Sequence, residues 1–301
     1  MIRAFNVILG HLVVFYYVKS VLNYPWLEQI SRQEILTAGC ANLGLQGSGE
    51  FNLNHLNHIL VDHKHRLLYC YVPKVACTNW KRVLMVLTER SNVTNLMEIP
   101  AYIAHANTSL SRLSEYNEND AKYYLNNYIS FVMVRQPFER LLSAYRNKLE
   151  GNLPSAKYFQ ARIGRYIIKN YRPNATETDL RNGDNVSFQE FVQYLVAEGI
   201  KNDTANEHWK PIHQLCYPCS LNYTFIGKYE KFEEDASIIL DMVNAPYVIF
   251  PHSKSSQTSE KLRQYLRQLS LSDIEKLYRI YEIDFRLFDY NLESILGFDI
   301  G

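Results

Sequence analysis

Short apolar runs of strand length, each followed by residues with helical periodicity, recur along this chain. The runs are residues 67–72, 129–134 and 223–227. Stretches with apolar residues at helical spacing follow them at 79–87, 137–145 and 232–243, and the segment 259–288 has the same pattern. Buried strands that alternate with helices predict an α/β fold, with a central, mainly parallel sheet flanked by helices on both faces.

Charge is balanced over the whole chain but not along it. The 301 residues include 32 Lys and Arg against 31 Asp and Glu, and 47% are apolar. This composition excludes a disordered chain and a globally basic coat, so we expect no nucleic-acid partner. Between Arg135 and Arg172, however, nine basic residues stand against two acidic ones. That segment predicts a positive face suited to an anionic partner, although solvated helix faces explain the same charges.

The loop between the first run and its helix, Pro73 to Trp80, has the features of an anion site. Backbone N–H groups at a helix start point outwards, and the helix dipole adds partial positive charge there. Lys74 adds a full charge and Thr78 adds a hydroxyl. The glycines of a Walker A loop are missing, which disfavours a nucleotide kinase. The structural alternative is an ordinary turn with a solvated lysine.

A second candidate anion site follows the second run. Arg135 stands at the carboxyl end of that run, Pro137 suits the first turn of a helix, and Ser143 lies inside the helix. A guanidinium can hold a phosphate through two hydrogen bonds. Because parallel strands present their carboxyl ends at one edge, the two sites together predict one ligand with phosphate groups at both ends.

These two segments carry a resemblance to a known family. The stretch from Tyr71 to Arg82 resembles the 5′-phosphosulfate loop of Golgi carbohydrate sulfotransferases, and the stretch from Val134 to Arg146 resembles their 3′-phosphate motif. The chain is similar to the chondroitin 4-O-sulfotransferase branch over about residues 51–290, with supporting segments at 97–101, 206–209, 216–219 and 227–230. Gln136 is a departure, since Glu or Asp is usual in relatives.

The resemblance implies a P-loop-like sulfotransferase fold and the donor 3′-phosphoadenosine 5′-phosphosulfate (PAPS), with no metal. It implies Lys74 as a catalytic residue. The residues implied to hold the 5′ phosphosulfate are Pro73, Lys74, Val75, Ala76, Cys77, Thr78 and Asn79. Those implied to hold the 3′ phosphate are Arg135, Gln136, Pro137, Phe138, Glu139, Arg140, Leu141, Leu142 and Ser143.

A general base must take the proton of the acceptor hydroxyl. The candidate is His105, which lies between the two nucleotide motifs as a histidine does in related enzymes. His208 is the rival, and we assign its segment, Glu207, His208 and Trp209, to substrate contact instead. The basic segment from Arg146 to Arg172 suits a glycosaminoglycan acceptor, chondroitin or dermatan.

The compartment is indicated by the N-terminus and the sequons. Residues 4–18 are uncharged and apolar, which favours an uncleaved anchor over a cleaved signal peptide, with a buried helix as the alternative. Six acceptor sequons indicate the secretory pathway: Asn92, Asn107, Asn174, Asn185, Asn202 and Asn222. We therefore expect a cytosolic tail and signal anchor over 1–22, a stem without sustained periodicity over 23–50 and a lumenal catalytic domain over 51–301, in a single-pass type II Golgi membrane protein.

Cysteine and histidine groupings outside these motifs are interpreted structurally. Cys216 and Cys219 indicate a structural disulfide rather than half of a zinc site, because the sequence contains no second Cys-x-x-Cys pair. Their pairing cannot be deduced from the sequence, and Cys77 is expected to be a free thiol. Four histidines, at 55, 58, 63 and 65, are expected to form a polar surface turn, with a metal site as the alternative.

The predicted function is transfer of sulfate from PAPS to the 4-hydroxyl of N-acetylgalactosamine in chondroitin. The same chemistry on dermatan, or on a terminal sugar of another glycan, is the first alternative, since donor motifs do not distinguish acceptors. A catalytically silent glycan-binding module is the alternative of a different class. The presence of Lys74, Arg135 and Ser143 counts against it.

Overall fold

The computed structural model describes residues 24–46, 52–199, 206–251 and 257–297. The expected anchor over 1–22, the glycine-rich end of the expected stem at 47–50 and the sequon at Asn202 lie outside these residues. Within the described ranges, no helix combines the length and the apolar character needed to cross a membrane.

The described residues contain a four-stranded sheet of order β1-β2-β3-β4, formed by Ile59–Asp62, Leu67–Cys70, Ile129–Val134 and Phe225–Lys228. Strands β2, β3 and β4 are parallel, and β1 pairs antiparallel with β2. The mainly parallel sheet is thus confirmed. The strand β1 was not predicted, and His63 and His65 lie in the turn between β1 and β2.

Helices cover the sheet. In chain order the described α-helices are α1 Tyr24–Asn42, α2 Cys77–Leu87, α3 Ala101–Ala104, α4 Glu118–Asn127, α5 Pro137–Tyr145, α6 Pro154–Phe159, α7 Arg165–Tyr171, α8 Glu177–Asn182, α9 Phe188–Glu198, α10 Ile212–Cys216, α11 Phe232–Met242, α12 Thr258–Leu266, α13 Leu271–Leu287 and α14 Glu293–Leu296. Two π-helical turns, Arg146–Glu150 and Gln160–Gly164, extend α5 and α6.

The helix α1 occupies most of the segment expected to be a stem, residues 23–50. It contacts the edge strand β4 through polar side chains: the Gln29 amide accepts from the Ile226 N–H at 2.7 Å and donates to its carbonyl at 3.0 Å. Arg32 forms an ion pair with buried Asp235 at 2.8 Å. The edge strand is therefore covered by a helix, as edges in native sheets commonly are. Leu36 and Cys40 of α1 are buried in the core, but Gln29 and Arg32 occupy the same inward face, so the apolar pattern did not reveal this helix.

Two disulfides link distant parts of the chain. Cys40 of α1 is bonded to Cys219, and Cys70 at the end of β2 is bonded to Cys216. Cys77 is free and buried, as predicted. The Cys40–Cys219 bond fixes the end of α1 to the segment that precedes β4, so this helix is covalently part of the folded domain.

The core has two parts. One surrounds the sheet, where Tyr69 and Phe131 stack with ring centroids 4.6 Å apart and Trp80 packs against Phe131 at the same distance. The other lies among the helices that follow β3 and includes Phe138, Leu142 and Trp209. The carboxyl ends of β2 and β3 meet the boundary between these two clusters, which is where both predicted anion motifs begin.

Candidate active site

The predicted donor loop is a tight turn between β2 and α2. Lys74 and Ala76 both have left-handed backbone conformations, with φ of 73° and 54°. Ala76 is the N-cap residue of α2 and makes no side-chain cap hydrogen bond. Left-handed residues in a tight turn direct successive N–H groups towards one point and so form an anion-binding concavity. Lys74 is half-buried beside this turn.

The second motif lies against the first at the same edge of the sheet. Arg135 follows β3, and its Nη1 donates to the Lys74 carbonyl at 3.3 Å. Its Nη2 forms an ion pair with Glu139 at 3.2 Å, and its guanidinium lies 4.2 Å from the ring centroid of Tyr229. Glu139 and Ser143 are four residues apart in α5, so Ser143 lies on the helix face that Arg135 reaches. The two predicted anion motifs therefore adjoin.

Arg140 joins the donor loop to the predicted acceptor segment. Its side chain is 1% exposed, and it donates to three backbone carbonyls. These are Pro73 at 3.0 Å, Glu207 at 2.9 Å and Lys210 at 2.7 Å. Because one guanidinium binds the carbonyls of both Pro73 and Glu207, the residues that follow them, Lys74 and His208, are held near each other. We infer that Arg140 positions both segments.

Several side chains assigned to ligand contact are core residues. Phe138, Leu141 and Leu142 are at most 1% exposed, and so is Val75, which leaves only their backbone atoms for the donor. Trp209 is 2% exposed and packs against Phe191 and Phe159. Its burial leaves only its backbone atoms for an acceptor, and the assignment of this residue to substrate contact stays a prediction. The other predicted contacts, including Gln136 and Pro137, stay predictions.

Two histidines lie near the donor loop. His105 ends α3, and its Nε2 lies 2.9 Å from Thr78 Oγ1 while its Nδ1 lies 3.4 Å from Lys81 Nζ. His208 has its Nδ1 2.7 Å from Asn206 Oδ1. Desolvation and nearby cations lower the pKa of His105 to about 4 and that of His208 to about 2. Both rings are therefore neutral near pH 7.

Positive charge is concentrated around the two histidines. Burial lowers the pKa of Lys74 to about 8, with Cys77 acting in the opposite direction and the cations Lys148, Arg135 and Arg140 contributing to the decrease. Lys81 lies 3.9 Å from the ring centroid of Tyr71, and Lys148 lies 4.7 Å from that of Phe159. Like charges held close together favour binding of a polyanion, because the anion relieves their repulsion.

The carboxylate of Glu207 is the acidic group of the predicted acceptor segment. It lies 3.8 Å from His58 Nε2, and its side chain is 42% exposed. Burial raises the pKa of the Cys77 thiol, which stays protonated near pH 7. No group of three or more His, Cys, Asp or Glu that could hold a metal occurs within the described ranges.

Sequence reasoning gave no role to three polar residues of this site. Lys81 lies on the same face of α2 as Thr78, three residues earlier, so helical spacing could have identified it. Lys148 was counted only as part of the basic segment, and it lies in the π-helical turn Arg146–Glu150 that follows α5. Asn206 carried no signal by itself, since its contact with His208 depends on a local turn.

Comparison with known proteins gives a consistent result. A profile described as the sulfotransferase family matches residues 57–291. Carbohydrate sulfotransferase 11 of Mus musculus is 39% identical over 282 residues, which cover 92% of this chain and 80% of the relative. Carbohydrate sulfotransferase 14 of Danio rerio is 43% identical over 243 residues (79% and 64%), and carbohydrate sulfotransferase 9 of Homo sapiens is 37% identical over 270 residues (87% and 60%). No solved structure matches the chain.

Proposed function

Because this chain belongs to the sulfotransferase family, with carbohydrate sulfotransferases as its relatives, we propose that it transfers sulfate from PAPS to the 4-hydroxyl of N-acetylgalactosamine in chondroitin. The observation that carries the proposal is the junction of the two anion motifs at one sheet edge, through Arg135 and the Lys74 carbonyl. A donor with phosphate groups at both ends matches two adjoining cationic sites.

In the proposed reaction the acceptor oxygen attacks sulfur while the bond between sulfur and the bridging oxygen breaks. The nucleotide leaves as the 3′,5′-bisphosphate, and the acceptor proton passes to a base. As in phosphoryl transfer, the protein contributes positioning and charge stabilisation. Lys74 and the loop N–H groups face the charge that grows on the bridging oxygen. Arg135 and Ser143 hold the 3′ phosphate.

The acceptor proposal is supported by the cations beside the donor loop. Lys81 lies beside His105 and Lys148 lies near His208, and a polymer with regularly placed carboxylates offers partners for both lysines. Glu207 and His208 are proposed to contact this acceptor.

Sulfate transfer from labelled PAPS by the full-length protein tests the proposal. Desulfated chondroitin and desulfated dermatan are used in parallel, and disaccharide analysis of the product locates the label. We expect label on the 4-hydroxyl of N-acetylgalactosamine in chondroitin. Transfer to dermatan alone would show that the chondroitin assignment is wrong, and so would transfer to neither glycan by a protein that still binds the donor. A folded protein that does not bind the donor would overturn the enzyme assignment.

We also propose a lumenal Golgi location with a single-pass type II anchor. Two disulfides support an oxidising compartment. The five sequon asparagines in the described ranges, Asn92, Asn107, Asn174, Asn185 and Asn222, are all exposed. Release of an N-glycan by a glycosidase, detected as a mass change in protein from animal cells, tests this location.

Replacing Arg135 is expected to weaken donor binding. Arg135→Ala removes a charge-assisted contact with the 3′ phosphate, and the loss of such a contact costs about 2–5 kcal/mol of binding free energy. The measurement is PAPS affinity by calorimetry. Arg165→Ala, at an exposed position, is the matched control and should leave affinity unchanged. Since Arg135 also pairs with Glu139, the melting temperature of each variant is recorded. Wild-type donor affinity in a folded Arg135→Ala protein would remove the 3′-phosphate role.

A further inference from the structure

The hydrogen bonds of His208 define which of its ring nitrogens carries the proton. Asn206 Oδ1 accepts from the backbone N–H of His208 at 3.1 Å and lies 2.7 Å from His208 Nδ1. An atom that accepts from a backbone N–H is the amide oxygen, which has no hydrogen to give. Therefore Nδ1 carries the proton, and Nε2 of the neutral ring has a free lone pair.

The opposite tautomer follows for His105. Lys81 Nζ lies 3.4 Å from Nδ1, and an ammonium group only donates hydrogen bonds. Nδ1 is then the acceptor, so Nε2 carries the proton and donates it to Thr78 Oγ1 at 2.9 Å. Both nitrogens of His105 are engaged, and its lone pair is directed at Lys81 rather than at a substrate.

The position of His208 also fits a role beside the reacting group. Arg140 ties the carbonyl of Glu207, one residue before His208, and the carbonyl of Pro73, one residue before Lys74, to one buried guanidinium. Phe159 packs edge-on against the His208 ring, with centroids 5.3 Å apart, and limits its rotation. The charged and titratable groups around the ring are Lys148, Lys74, Arg140 and His105.

We propose that His208 Nε2 is the general base of sulfate transfer and that Asn206 is its positioning residue. This inference rests on the proposed function. The acceptor O–H bond breaks as its proton moves to Nε2, and the oxygen forms its bond to sulfur. The electron pair of the broken sulfur–oxygen bond leaves with the nucleotide. His105, the base predicted from sequence, instead holds Thr78 and Lys81 in place.

Donor binding is expected to raise the basicity of the His208 ring. In the free protein burial, together with the surrounding cations, lowers the pKa of the ring and keeps it neutral, which leaves Nε2 able to accept a proton. Binding of the polyanionic donor offsets those cations and raises the proton affinity of the ring. The base is therefore strengthened when sulfate is present to be transferred.

The test compares His208→Ala, His105→Ala, Asn206→Ala and Asn206→Asp in the full-length protein, with PAPS and the glycan that the wild type sulfates. We expect His208→Ala to lower kcat at least about 100-fold with donor affinity unchanged. His105→Ala should have a smaller effect on kcat. Asn206→Ala should lower kcat about tenfold, because the ring loses its fixed tautomer.

Asn206→Asp distinguishes a base from a merely structural histidine. A carboxylate accepts the same two N–H groups and makes the ring more basic, so the acid limb of the kcat–pH profile should move up by about one pH unit. An acid limb that does not move in Asn206→Asp would overturn the assignment to His208. The same conclusion would follow if a folded His208→Ala protein had normal kcat while His105→Ala lost its activity. Absence of transfer in the wild type would overturn the proposed function, and this inference with it. Loss of activity in the variants, with normal activity in the wild type, bears only on which residue is the base.

Discussion

Lys74→Ala is expected to lower the kcat of sulfate transfer by about 100- to 1,000-fold, which is the usual cost of removing one group that stabilises transition-state charge. The lysine lies in the turn that joins β2 to α2, next to the Arg135 contact with its carbonyl. Its charge is proposed to meet the negative charge on the bridging oxygen, which is greatest in the transition state. The loss should therefore appear mainly in kcat and less in donor affinity.

The Lys74→Ala substitution is expected to leave the backbone conformation unchanged. Lys74 has φ of 73°, and alanine keeps the Cβ atom, so the strain of this left-handed residue is the same in both proteins. The melting temperature should change little. Lys122→Ala, at an exposed position on α4, is the control for loss of a lysine. Wild-type kcat in Lys74→Ala would remove the catalytic role of the loop lysine.

The pH dependence of donor binding provides a second measure of Lys74. Burial and neighbouring cations lower its pKa to about 8, so the free protein loses this charge as the pH rises through that value. Wild-type donor affinity should fall above about pH 8. In Lys74→Ala this fall should be absent, while affinity below pH 8 is reduced.

A chain that begins at residue 51 is expected to be largely unfolded, whereas one that begins at residue 20 should fold. Truncation at 51 removes α1 and with it the Cys40–Cys219 disulfide, whose loss costs about 2–5 kcal/mol. It also leaves Asp235 without Arg32, and an unpaired buried charge costs about 3–5 kcal/mol. Their sum approaches the whole stability of a typical domain, about 5–15 kcal/mol.

Thermal unfolding followed by circular dichroism measures this difference. The double variant Cys40→Ser/Cys219→Ser in the longer chain loses only the disulfide, so its melting temperature should lie between those of the two truncated chains. The fragment from residue 51 is also made with Cys219→Ser, which prevents mispairing of the released thiol. Equal melting temperatures for the two fragments would show that α1 contributes nothing to folding.

The parts of the fold that were predictable are those in which apolar residues carry the signal. Strand β3 and the start of α5 at Pro137 have the predicted bounds, because a buried run ends at Arg135 and proline suits a first helical turn. Helix α1 was missed because its inward face combines Gln29 and Arg32 with the buried Leu36 and Cys40, which leaves no clear apolar periodicity. Strand β1 was missed because its four residues lie next to a histidine-rich stretch and have no helix behind them.

The candidate site was predictable as two motifs but not as an arrangement. Sequence indicated Lys74 and Arg135 from residue type and position, and the structure brings them into contact. The hydrogen bonds of Arg140 depend on the contact of residues about 70 positions apart in the sequence. The contact between Asn206 and His208 depends on a local turn of three residues. Residue patterns along a chain carry no information on such contacts, so the tautomers of His105 and His208 follow only from the three-dimensional structure.

Arg140 makes the donor loop and the acceptor segment a single mechanical unit. Its three hydrogen bonds reach backbone carbonyls, which cannot rotate away as side chains can. A displacement of one segment is therefore transmitted to the other. We therefore expect KM for the proposed nucleotide donor and KM for the proposed glycan acceptor to rise together when these hydrogen bonds are lost.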